Sequence, residues 1–122
     1  MRKIKIRTKE IEVLAELNDS RTAKLIWDAL PLKGITNTWG DEIYFSIPVS
    51  AEIENPKSVV EMGDLGYWPP GNAFCIFFGK TPTSTETEIR PASPVCVVGE
   101  LCGNPEELKK VRAGETIILE KA

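Results

Sequence analysis

Isoleucine alternates with basic residues at the start of the chain, Arg2-Lys3-Ile4-Lys5-Ile6-Arg7, and Ile11 and Val13 resume the alternation after Thr8-Lys9-Glu10. A period of two places the apolar side chains on one face of an extended segment. The pattern therefore predicts an opening β-hairpin with one buried face. Arg2, Lys3, Lys5, Arg7 and Lys9 would lie on the outer face of an edge hairpin, solubilising it and protecting the edge. The period then changes. Ala23, Ile26, Trp27 and Leu30 recur at helical spacing, Asp19 or Ser20 offers an N-cap, and Pro31 stops the run. This reads as a helix of about three turns, with Trp27 as its main contribution to the core.

Beyond it, 35–39 and 43–47 read as strands around Gly40-Asp41, the second ended by Pro48. Residues 50–72 read as mostly irregular, because Asn55-Pro56, Gly63-Asp64-Leu65-Gly66 and Pro69-Pro70-Gly71 are turn signals. Residues 73–78 are apolar on both faces and fit a central strand. The polar stretch 81–93 reads as an exposed, mobile loop, and 95–101 as another buried strand. Asn104-Pro105-Glu106-Glu107 is a helix start, with Asn104 as cap, Glu107 reaching back to it and Gly114 as the stop. Residues 116–120 close the chain as a strand. About eight short strands with two short helices predict one mainly β domain over residues 1–122, a closed barrel with helices over its open ends.

Composition narrows the chemistry. The net charge is -3 and the pI about 5.1, so the chain lacks the electrostatic footprint of a nucleic-acid or anionic-membrane binder. The apolar run at 73–78 is far shorter than a membrane span. There is no histidine, and the cysteines, Cys75, Cys96 and Cys102, form no Cys-x-x-Cys pair. A disulfide framework and a zinc knuckle are not indicated, no cofactor motif is present, and free thiols fit a cytoplasmic protein. Serine or cysteine nucleophilic catalysis lacks its usual histidine base.

Phe74-Cys75-Ile76-Phe77-Phe78-Gly79-Lys80-Thr81-Pro82, followed by Val97-Val98-Gly99-Glu100-Leu101, resembles the cyclophilin pattern of a Phe-rich strand, a Lys-Thr-Pro loop and a Val-Phe-Gly-Lys-Val strand. Residues 37–45 and 63–71 are similar to small stand-alone cyclophilin-like proteins of bacteria and archaea, a family of unknown function, and here the resemblance covers nearly the whole chain. It implies a closed eight-stranded barrel capped by two short helices. It does not carry over the isomerase site. Ser46 stands at the position of the isomerase arginine, Val95 lies nearest the position of the pocket histidine, and the pocket phenylalanine falls at Cys75 or Phe74, depending on a one-residue shift that flips the face.

Two function classes follow. The first is a binding module that holds a peptide or small molecule in an aromatic groove, with Trp39, Glu42, Tyr44, Ser46, Trp68, Phe78, Thr81 and Arg90 as candidate ligand-binding residues. The second, resting on fold analogy, is a peptidyl-prolyl cis-trans isomerase of weak or altered activity. Arg90 is the only arginine near the groove, and no catalytic residue is assigned. Asp41, Glu42, Glu61 and Asp64 lack metal-ligand spacing, so no metal is expected. A small barrel with apolar turns is compatible with a homodimer.

Overall fold

The computed structural model describes residues 2–122. The opening hairpin forms as its alternation predicts. β1 (Arg2–Arg7) pairs antiparallel with β2 (Glu12–Leu17) in the register Ile4↔Ala15 and Ile6↔Val13, and Ile4 and Ile6 are fully buried. It is not an edge hairpin. The far side of β1 pairs with the last strand, β9 (Thr116–Lys121), in the register Ile6↔Leu119. Its basic side chains thus decorate the outside of a fully paired strand. Arg7 holds Glu120 at 2.9 Å.

Helix α1 (Arg21–Ala29) begins at Ser20, whose Oγ accepts from the Ala23 N–H at 3.1 Å. A second cap comes from a remote segment. The Glu54 carboxylate accepts from the backbone N–H groups of Arg21 (3.1 Å) and Thr22 (3.0 Å), and from the Thr22 hydroxyl (2.9 Å). These are donors that a helix start leaves free, at the end where the dipole favours an anion. Ile26, not Trp27, is the main core side chain of α1: Ile26 is fully buried, whereas Trp27 is half-buried beneath the Lys121 ammonium, 4.7 Å from the ring centre.

The remaining strands are β3 (Leu32–Ile35), β4 (Asn37–Thr38), β5 (Glu42–Ser46), β6 (Asp64–Trp68), β7 (Ala73–Phe77) and β8 (Cys96–Cys102). Their order is β3-β9-β1-β2-β8-β6-β7-β5-β4, and neighbours pair antiparallel. The count is nine where eight is expected. The difference lies at Thr36, which interrupts one extended run: β3 before it pairs with β9, and β4 after it pairs with β5. The two ends of the sheet are therefore consecutive in the chain. Thr36 is 1% exposed; its hydroxyl donates to the Arg112 carbonyl (2.7 Å) and accepts from the Glu115 N–H (2.9 Å). Across the same seam β3 presses on β5, since a Cβ at Gly34 would lie 2.7 Å from the Phe45 ring.

β6 corrects the expectation of an irregular 50–72 segment. Its glycine and acidic residue signal a turn, yet it lies between β7 and β8 with Leu65, Gly66 and Tyr67 buried. Gly66 leaves room for neighbours: a Cβ there would stand 3.2 Å from both Phe77 and Val95. The helix start at Asn104 is present, with the Asn104 side chain accepting from the Glu106 N–H at 3.0 Å, but the helix is a 3₁₀ segment, Pro105–Lys110. It stops four residues before Gly114, and Glu107 holds Lys110 (3.1 Å) instead of reaching back to Asn104. A 3₁₀ turn also spans Pro69–Gly71, and the Leu30–Pro31 peptide bond that follows α1 is cis.

The barrel interior is filled by alternate residues of each strand, with the Phe45 and Phe74 rings 5.5 Å apart. Tyr67 is wholly inside, its hydroxyl donating to the Val49 carbonyl at 2.6 Å. A second, smaller cluster lies on the outer face of β5, β6, β7 and β8. It contains Val60, Ala73, Cys75, Phe77 and Val95, with Tyr44 and Trp68 packed against it. The one-residue ambiguity on β7 is thereby decided: Phe74 points inward and Cys75 outward. The long segments after β5 and β7 cover this outer cluster and are joined by the bridges Lys57↔Val95 and Val60↔Ile89. Among the described residues no helix is long and apolar enough to cross a membrane.

Candidate functional site

On the outer face of β5 the alternation leaves Glu42, Tyr44 and Ser46 pointing away from the interior, while Ile43 and Phe45 fill it. Trp39 precedes β5 in a tight turn, its N–H donating to the Glu42 carbonyl (2.9 Å) and its carbonyl accepting from the Glu42 N–H (3.2 Å). Gly40 completes this turn at φ +61°, where a Cβ would lie 2.8 Å from the Lys80 carbonyl oxygen, so both conformation and space call for glycine. The turn is docked on the chain after β7 by Asp41 N–H to Lys80 carbonyl (2.8 Å) and Phe78 N–H to Asp41 carbonyl (3.0 Å).

Trp68 ends β6 and enters the Pro69–Gly71 turn. Its indole N–H donates to the Ser93 hydroxyl at 2.6 Å, fixing the ring against the segment before β8. Trp39, Glu42, Tyr44 and Trp68 then meet Pro91, Ala92 and Val95 around one cavity of about 240 Å³. That is a little below the roughly 300–1,000 Å³ of drug-sized pockets, and suits one compact chemical group.

Glu42 is the charged residue of this lining and is 6% exposed. Burial pushes its carboxyl up to about 7, against a partial counter-effect from the Cys75 thiol on β7. Cys75 is itself buried, and burial followed by the nearby Glu42 charge raises its thiol well above the ordinary range. It is therefore no thiolate nucleophile at neutral pH. The site can enclose a small group between aromatic walls and offers one carboxyl that exchanges a proton near neutrality. Among the described residues no cluster of cysteine, aspartate and glutamate is arranged to hold a metal ion.

Four of the eight sequence-predicted residues, Trp39, Glu42, Tyr44 and Trp68, line the cavity. The other four lie elsewhere. Ser46 is exposed past the cavity, its hydroxyl donating to the Gly71 carbonyl at 3.0 Å. Phe78 belongs to the barrel interior. The Thr81 hydroxyl donates to the Arg90 carbonyl, and Ser84 accepts from the Thr81 N–H at 2.9 Å, so this residue braces its own loop. The Arg90 guanidinium is engaged by Glu88, with Nε at 3.1 Å and an outer nitrogen at 2.5 Å. Pro91, Ala92 and Val95 are lining residues that sequence reasoning missed. Pro91 and Ala92 sit in a polar loop with no periodicity to betray a wall, and only Val95, two residues beyond the Trp68 partner Ser93 and the start of the predicted buried strand 95–101, carried an apolar signal.

A larger depression, about 910 Å³, lies between the β1–β2 turn and the chain before β9. It is lined by charges of both signs, of which Arg7 pairs with Glu120 and Lys110 with Glu107. No aromatic ring lines it.

No curated protein matches the chain. Among solved structures it is similar to the solution structure of the hypothetical protein AF2241 from Archaeoglobus fulgidus, with 46% identity over 99% of this chain and 95% of that one, and a TM-score of 0.84. It also shares its fold with McbB, solved in complex with tryptophan, at 16% identity and a TM-score of 0.75, covering 97% of this chain and 44% of that one. The family model described as Cyclophilin-like matches residues 2–120. With nearly its full length accounted for by that match, the chain belongs to the cyclophilin-like family.

Proposed function

We propose that this chain is a ligand-binding domain whose outer-face cavity holds one compact group, the side chain of an extended peptide or a small molecule. The observation that supports it is the convergence of Trp39 and Tyr44, from the turn before β5 and from β5 itself, with Trp68 of β6 around a cavity that holds a carboxyl but no activated nucleophile. An isomerase reading asks for a strong donor over the ligand, since the twisted amide sits on a barrier of about 18–20 kcal/mol. Ser46, the residue at the isomerase arginine position, spends its hydroxyl on the Gly71 carbonyl instead.

The test is a melting-temperature and tryptophan-fluorescence screen with short X-Pro peptides and small polar molecules, run beside a cis/trans isomerisation assay. At least one ligand is expected to raise Tm by a few degrees, since saturation at a hundredfold Kd stabilises by about 2.7 kcal/mol. The response should vanish in Trp68→Ala, and peptide isomerisation should proceed at the uncatalysed rate. A Trp68→Ala protein that responds like the wild type would remove the cavity from the function. Accelerated isomerisation abolished by Tyr44→Ala would replace the binding reading by the enzymatic one.

A further inference from the structure

The cavity's lining narrows the class of ligand, and this step rests on the binding reading above. We propose that the cavity takes an organic cation of the alkylated-ammonium type, enclosed by Trp39, Tyr44 and Trp68 and neutralised by the Glu42 carboxylate.

Charge is the first ground. No basic side chain lines the cavity, and the nearest loop arginine, Arg90, is turned to Glu88. An anion entering here would meet a carboxylate and electron-rich aromatic rings. A cation meets complementary charge from both, because the ring quadrupole attracts cations and indole does so best.

Burial is the second ground. The titratable groups beside Glu42 are Tyr44 on the same strand and Cys75 on β7, with Asp41 and Lys80 in the adjoining turn. Of these, only the Cys75 thiol eases the carboxyl's ionisation; burial opposes it. A buried carboxylate without a cationic partner is costly, and the missing partner is what a cationic ligand brings.

Hydrogen bonding and size are the third. The Trp68 N–H is already spent on Ser93, and beyond the three rings and Glu42 the walls are Pro91, Ala92 and Val95. A quaternary ammonium group has no N–H donors to satisfy, so it loses little in such a lining. At roughly 30 Å³ per water-sized unit, the cavity of about 240 Å³ has room for about eight such units, enough for choline, whose heavy atoms are five carbons, one nitrogen and one oxygen.

The probe is therefore choline, titrated against its uncharged carbon isostere 3,3-dimethyl-1-butanol up to the hundred-millimolar range. The signal is the fluorescence of Trp39 and Trp68, with Trp27 as a constant background. Choline is expected to bind at least tenfold more tightly than the isostere. The preference should tighten by up to about tenfold from pH 6 to pH 8 as Glu42 ionises, and disappear in Glu42→Gln. The pH series on the wild type keeps the test decisive even where the variant folds poorly. Equal binding of choline and the isostere, or a preference without pH dependence, overturns the cation assignment and leaves the binding reading in place. A cavity that takes other compounds of the panel but not choline does the same. If nothing occupies it, both fall.

Discussion

Glu42 shows how one residue couples stability to function. Its carboxyl is raised from 4.5 to about 7 because burial disfavours the charged form. The folded protein therefore holds a proton there over a range in which the unfolded chain has lost it. The sign follows from linkage: stability falls as pH rises from about 4.5 to about 7 and then levels off. Glu42→Gln removes this titration in a side chain of the same shape. It is expected to stabilise the free protein at pH 8 by on the order of 1–3 kcal/mol and to have little effect at pH 4. Urea unfolding at the two pH values measures this, and a gain that is equal at both would mean that Glu42 is not buried as a neutral acid. A substitution that stabilises the free domain while abolishing ligand binding is the expected signature of a binding carboxylate.

At the scale of elements, α1 has nine residues, short for a helix to be stable on its own, so its start must be held from outside. Ser20 supplies one acceptor and Glu54 the others. Ser20→Ala is expected to cost about 1 kcal/mol. Hydrogen bonds from the Thr22 and Arg21 backbone lower the Glu54 carboxyl below its ordinary value. A lowered folded value adds stability above the ordinary carboxylate range and loses it as pH falls through the folded value. Glu54→Ala should therefore lower Tm at pH 7, and its difference from the wild type should shrink on acidification. A constant difference across that range would show that the charge is not what holds the helix. Ser20 was legible as a cap from the sequence, with Asp19 as its rival. Glu54 was not, because it lies 32 residues from Thr22 and no local period joins them. β6 was hidden for a similar reason: Gly63-Asp64-Leu65-Gly66 carries the residues of a turn, and pairing with both β7 and β8 overrides them.

For the whole molecule the decisive place is Thr36, where the ring of strands is completed by the chain itself. Its backbone N–H and carbonyl bond to the Glu115 carbonyl (2.9 Å) and the Gly114 N–H (2.8 Å), and its hydroxyl bonds to the same segment. Thr36→Val keeps the shape and deletes the hydroxyl, leaving the Arg112 carbonyl and Glu115 N–H without that partner. The expected cost is about 1–3 kcal/mol, read by urea unfolding, with faster amide exchange in 112–116. A neutral substitution would show that strand pairing alone closes the barrel. β1 is not an edge because β9 returns to pair with its outer side; the strands whose outer sides the closure at Thr36 protects are β3 and β4.

Alternation and turn chemistry alone determined the opening hairpin, α1, the strand apolar on both faces and the mainly β class, because each of these depends on residues near one another in the chain. The resemblance carried by residues 74–82 and 97–101 narrowed the closed β domain to the cyclophilin-like barrel. Only the tertiary structure decided which outward residues share a cavity. Trp39, Glu42, Tyr44 and Trp68 were nameable in advance, but so were Ser46, Phe78, Thr81 and Arg90, and strand register with loop docking separates the two sets. The charge state of Glu42 belongs to the same category, since burial is a property of the packed barrel and its covering loops, not of the residues on either side of Glu42.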